Sequence, residues 1–149
     1  MSQFQLTTEL IKLSFSPIWD EAKLEWELIG VEKVSESDAE ECVCGKYPIL
    51  EICTIKNKIN NNTARVGNSC VKKFINESDK IFRSISQIKK SIDKSLNAET
   101  ISFAFEKHWI TQKDRNFYID IFRKRNLSEK QSNWKTSINK KILNRIKYE

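Results

Sequence analysis

Four cysteines carry the chemistry that this 149-residue chain advertises. Cys42 and Cys44 flank a single residue and are followed by Gly45, in the run "ECVCGKYPILEIC" that ends at Cys53. Cys70 follows in "VGNSCVKKF". Thiols at such spacing can form disulfides, hold a metal, act as nucleophiles or simply fill a core. Two thiolates on a tight turn, with a glycine behind the second to let the backbone fold back, form half of a tetrahedral zinc site. Four thiolates would close the tetrahedron and leave no position for a reactive water, so a Cys42, Cys44, Cys53 and Cys70 site with one structural Zn2+ would be a staple. In a small unit such a staple contributes on the order of 10 kcal/mol of binding energy coupled to folding. A catalytic cysteine needs a histidine nearby, and the chain has one, His108, in "AFEKHWI". His108 is also the substitute ligand if Cys53 faces the core instead.

These cysteines need elements to position them. "ILEICTIKN" alternates and is rich in isoleucine, which reads as a strand. "KINNN" is a turn and "TARVG" the returning strand, after which Asn68 can cap a helix that begins "SCVKKFI". The order of knuckle, hairpin and helix start is treble-clef-like. It places Cys70 in a first helical turn, where the helix dipole would favour a thiolate.

Upstream, Ser16 and Pro17 look like the start of a helix carrying Ile18, Trp19, Ala22 and Trp26, and "EWELIGVEKV" reads as a short strand leading to the knuckle. Downstream the pattern is helical. Ile81, Ile85, Ile88, Ile92 and Leu96 form one apolar stripe. Asn97 can cap a helix with Ile101, Phe105 and Trp109, and capping boxes at Thr111/Asp114 and Ser128/Gln131 open two more. The aromatics follow helical spacing, which favours packing over a base-stacking platform. The expected architecture is α+β: a small zinc module over residues 1–75 and a helical bundle over 76–149.

Charge divides along the same line. Residues 1–55 hold four Lys or Arg against 11 Asp or Glu, and residues 56–149 hold 22 against nine. A basic helical half beside a zinc module is a footprint of nucleic-acid binding. Lys72, Lys73, Lys89, Lys90, Arg123, Lys124, Arg125, Lys140 and Lys141 are the candidate contacts to phosphates or to a partner. The same charges would also serve as an ordinary solvated surface. The acidic run from Asp20 to Glu41 could pair with the basic half or occupy a partner's nucleic-acid groove. With three glycines there is no phosphate-cradling loop, and no paired-carboxylate motif is visible, so an enzyme is not expected. No apolar run reaches the length of a membrane span, and the N-terminus lacks the pattern of a secretory leader, so a cytoplasmic, reducing setting is expected.

From Trp26 to Phe74, "WELIGVEKV", "CVCG", "ICTIKNKINNN" and "VGNSCVKKF" together resemble a zinc-binding module of small bacteriophage and mobile-element proteins. In that module a C-x-C-G knuckle, a hairpin with I-x-N and a VG-x-x-C helix start recur. It often has a His after the knuckle glycine, where this chain has Lys46, which removes one ligand. "LSEKQ", Leu127 to Gln131, is similar to helical tails of such proteins. Some phage inhibitors of host defence nucleases, the anti-CRISPR proteins, are zinc-stapled in a similar way. The resemblance implies a binding protein whose partner is a host nucleic-acid-processing protein such as a CRISPR effector. The alternative is direct binding of DNA or RNA by the basic helices.

Overall fold

A computed structural model describes residues 2–75 and 77–148. The fold is α+β, with seven α-helices and one three-stranded antiparallel sheet among the described residues. Among the described residues no helix is long and apolar enough to cross a membrane. The chain divides into two compact units, one of Met1–Ser78 with Lys147–Glu149 and one of Asp79–Ile146. The expected boundary falls at residue 76, which lies outside the described residues.

In the first unit, helix α1 (Ser2–Leu13) precedes the short helix α2 (Trp19–Ala22) and strand β1 (Trp26–Lys33). Leu6 and Leu10 of α1 are fully buried. The end of α1 is held by the side-chain amides of Asn60 and Asn62, which both donate to the Leu13 carbonyl at 3.0 and 2.8 Å. The expected cap at Ser16 is corrected: α2 starts two residues later, with Ile18 at its N-cap. The Ser16 hydroxyl instead donates to Glu21 and accepts from the Ile18 amide. Buried Glu25 ties this segment down by accepting from the amides of Phe15 and Ser16 and from the Asn57 side chain. Burial alone would raise its pKa, but these three bonds outweigh it and hold the carboxyl below its usual range.

Strands β2 (Glu51–Asn57) and β3 (Thr63–Gly67) fall where isoleucine alternation and the asparagine turn put them. The strand order is β1-β2-β3, so β2 is central and β3 an edge. Cross-strand partners share a face. Cys53 sits between Val31 and Val66, and Ile55 pairs with Ala64, which makes one apolar face of buried side chains. On the other face Arg65 reaches Thr54, Glu32 and Glu40. A bulge between Leu28 and Gly30 restores this alternation along β1.

Helix α3 (Asn68–Val71) follows β3 directly. Its N-cap is Gly67, a correction to the expected cap at Asn68. The Asn68 side chain is used elsewhere, accepting from the Ser78 hydroxyl at 2.7 Å and donating to Glu51.

The second unit contains α5 (Ala98–Glu106), α6 (Gln112–Ile121), α7 (Glu129–Leu143) and most of α4 (Glu77–Lys90). All three predicted caps are present: Asn97 accepts from Thr100, and both capping boxes are closed in both directions. The α4 stripe is shorter than its periodicity suggests, because the helix ends at Lys90, before Ile92 and Leu96. A buried polar cluster holds the chain there. The Asn139 amide donates to the carbonyls of Ile92 and Lys94, both at 2.7 Å. The Tyr118 hydroxyl donates to Asn139 and accepts from the Leu96 amide. Burial pushes the Tyr118 pKa up to about 12. Leu96 is still buried, with Ile85, Ile88, Ile101, Ile138 and Ile142.

Candidate metal centre

The run from Cys42 to Lys46 closes on itself. The Gly45 amide donates to the Cys42 carbonyl at 2.8 Å, and the Cys42 amide donates to the Lys46 carbonyl at 2.8 Å. Gly45 has φ +91°, a left-handed conformation that side chains rarely tolerate. A Cβ there would also lie 2.8 Å from the Gln5 side chain. The turn is seated on the free edge of β3, where the Val43 amide donates to the Arg65 carbonyl. Two residues further along that edge, the Gly67 amide points at the Cys42 sulfur at 3.3 Å, and the Cys44 amide approaches the same sulfur at 3.5 Å. Arg65 braces the approach from the other direction by pairing with Glu40 and Glu32. Those pairs hold the Glu40 carboxyl below its usual range and raise the arginine further.

Cys70, the third residue of α3, completes the group. The ligand atoms of Cys42, Cys44 and Cys70 all lie within 4.8 Å of one another, and all three residues are buried. The Cys44 and Cys70 sulfurs are 3.5 Å apart, too far for a disulfide, and all four cysteines are free thiols. A tetrahedral metal with M–S bonds of about 2.3 Å separates its sulfurs by about 3.8 Å, so the group fits such an ion. Backbone amides aimed at sulfur and a set of soft donors are the features of a thiolate–metal centre.

Protons compete for this site. Burial raises the Cys42 thiol and pushes Cys70 up to about 12. Burial also works against the Cys44 thiolate, but the Lys46 amide and the neighbouring thiols outweigh it and lower Cys44. The helix dipole expected to favour a Cys70 thiolate is too small, since α3 has four residues.

Cys53 stands outside the group. It is fully buried on the central strand, on the apolar face between Val31 and Val66, whereas the knuckle lies along the outer edge of β3. Its thiol is pushed up to about 12 by burial. His108 is exposed in the second unit and is not among the clustered residues. It occupies the left-handed residue that ends α5, with φ +61°. The His108 amide donates to Phe105 and the Trp109 amide to Ala104, the double closure usually built on glycine.

Lys72, Lys73, Lys89, Lys90, Arg123, Lys124, Arg125, Lys140 and Lys141 are all exposed. Lys72 and Lys73 follow α3 in the first unit and the other seven belong to the second. That second unit holds 16 Lys and Arg against seven Asp and Glu, a net of +9. Lys141 is spent in part on buried Asp114, at 3.1 Å.

Sequence reasoning missed one surface feature. Phe15, Leu24 and Ile59 are 74%, 69% and 57% exposed, and they line one cleft of about 670 Å³ with Ser16, Glu21 and Lys58. Its signal in the sequence was apolar residues that fit neither the helical nor the strand period. Comparison with protein-family profiles, curated proteins and solved structures found no match.

Proposed function

We propose that the protein is a non-enzymatic binding protein, stapled by one structural zinc, that docks on another protein. The observation that supports docking is the exposed apolar cleft of Phe15, Leu24 and Ile59. Apolar side chains gathered around a cleft with a polar rim are a mark of interaction surfaces. The cleft belongs to the acid-rich end of the chain, with Asp20, Glu21 and Glu27 close in sequence, so the partner offers apolar anchors within a basic rim. Zinc is the metal that suits three clustered thiols in a reducing setting, and its work here is to pin the knuckle to β3. The resemblance to phage zinc modules makes a host nucleic-acid-processing protein of the CRISPR-effector kind the partner to test first.

The test is affinity capture on the full chain from a nuclease-treated host lysate, comparing wild type with Leu24→Asp. A protein captured by wild type and lost with the variant supports docking through this cleft. Equal capture by both rejects it.

A second reading, direct nucleic-acid binding, is favoured by the +9 charge of the second unit. It requires binding that weakens steeply with salt, with a log–log slope of about −0.7 to −0.9 per phosphate contacted. Absence of a gel shift at low salt rejects it.

A further inference from the structure

We infer that the three-cysteine centre holds its metal with the fourth position open to an adjoining cleft, and that this position takes an exchangeable donor: water at rest, and a thiolate when one is offered. The inference rests on the zinc reading above.

A tetrahedral ion takes four ligands. Three sulfurs are in place, and among the described residues no carboxylate, imidazole or further thiol joins them. Cys53 is withheld by the fold rather than by chance. Its strand is central, and its side chain is fully buried on the core face. To reach the knuckle, Cys53 would have to leave its place between Val31 and Val66.

Space exists beside the sulfurs. A cleft of about 130 Å³ is lined by Cys42 and Cys70 together with Lys46, Glu51, Asn68 and Ser69. A water takes about 30 Å³, so a ligand and its solvation fit beside two of the three sulfurs. Three thiolates on a divalent ion leave a net charge of −1, and the lining of the cleft offers one residue of each sign, Lys46 and Glu51. The exchange itself is simple. An incoming thiol gives its proton to solvent, its sulfur bonds the metal, and the bound water leaves.

The test uses the full chain loaded with Co2+ in place of zinc, titrated with a small monothiol. An open position gives a saturable rise in sulfur-to-cobalt charge transfer and a shift of the d–d bands, with the cobalt still bound after desalting. A wild-type spectrum that does not change overturns the inference, because the fourth position is then closed. In parallel, Cys53→Ala is expected to keep one zinc per chain with affinity near wild type, since loss of even an outer partner costs only about 10–100-fold and a ligand costs more. A folded Cys53→Ala protein that binds no zinc also overturns it and names Cys53 as the fourth ligand, with the zinc reading intact. Wild-type protein that binds no zinc defeats the zinc reading and this inference together. If Cys53→Ala does not fold, the wild-type titration decides alone.

Discussion

The Gly67 amide points at the Cys42 sulfur across 3.3 Å, and so joins the end of a strand to a turn 25 residues earlier. The contact does two things. It satisfies a donor on an otherwise open sheet edge, and it stabilises negative charge on the sulfur.

Replacing Gly67 separates these roles. Its φ of −65° suits proline, but a proline there has no N–H, and its ring carbon would take the place of that hydrogen. Gly67→Pro should weaken zinc binding by about 10–100-fold. Gly67→Ala keeps the N–H and adds a Cβ 3.1 Å from Ile49, so it should cost about 1 kcal/mol of stability and leave zinc affinity near wild type. Competition against a zinc chelator of known affinity reads both.

Removing the metal should act on one unit. The first unit depends on the knuckle to cover the β3 edge, whereas the second has its own buried isoleucines and closed caps. Chelation, or Cys44→Ser, should collapse amide NMR signals of residues 27–75 and retain those of 98–143. Retention of both sets with metal fully stripped would show that the staple is dispensable.

Asp114 sets the acid limit of the second unit. It closes the α6 capping box with the Thr111 amide and accepts from Trp134 Nε1 at 3.0 Å and Lys141 Nζ at 3.1 Å. Burial opposes its charge, but these partners prevail and lower its pKa. A carboxyl lowered on folding stabilises above its unfolded value and loses that contribution as pH falls through the folded one. The second unit should therefore hold its stability down to about pH 4 and lose it below. Asp114→Ala should remove about 2 kcal/mol at neutral pH and flatten this acid limb, as read by urea titration across pH.

His108 should be replaceable. A non-glycine residue in the left-handed region costs about 1 kcal/mol. His108→Gly should therefore stabilise the second unit by up to about 1 kcal/mol, seen as a higher melting temperature, with zinc content unchanged. A loss of zinc would return His108 to the ligand set.

What the sequence determined by itself is local. Caps at Asn97, Thr111 and Ser128 were legible because the side chain and the amide it accepts from are three residues apart. The hairpin was legible because alternation and an asparagine turn are properties of adjacent residues, and Gly45 because a C-x-C turn demands a left-handed residue. The tertiary structure decided what depends on pairing at a distance. Whether α4 runs on through Ile92 was decided by Asn139, 47 residues away, which takes the carbonyls a longer helix would use. Which cysteines meet was decided by strand order. Spacing counts Cys53 with the others, but register places it on the core face of the central strand while the knuckle settles on the edge. Periodicity fixes which residues share a face of one element, and only the packing of elements fixes which faces meet.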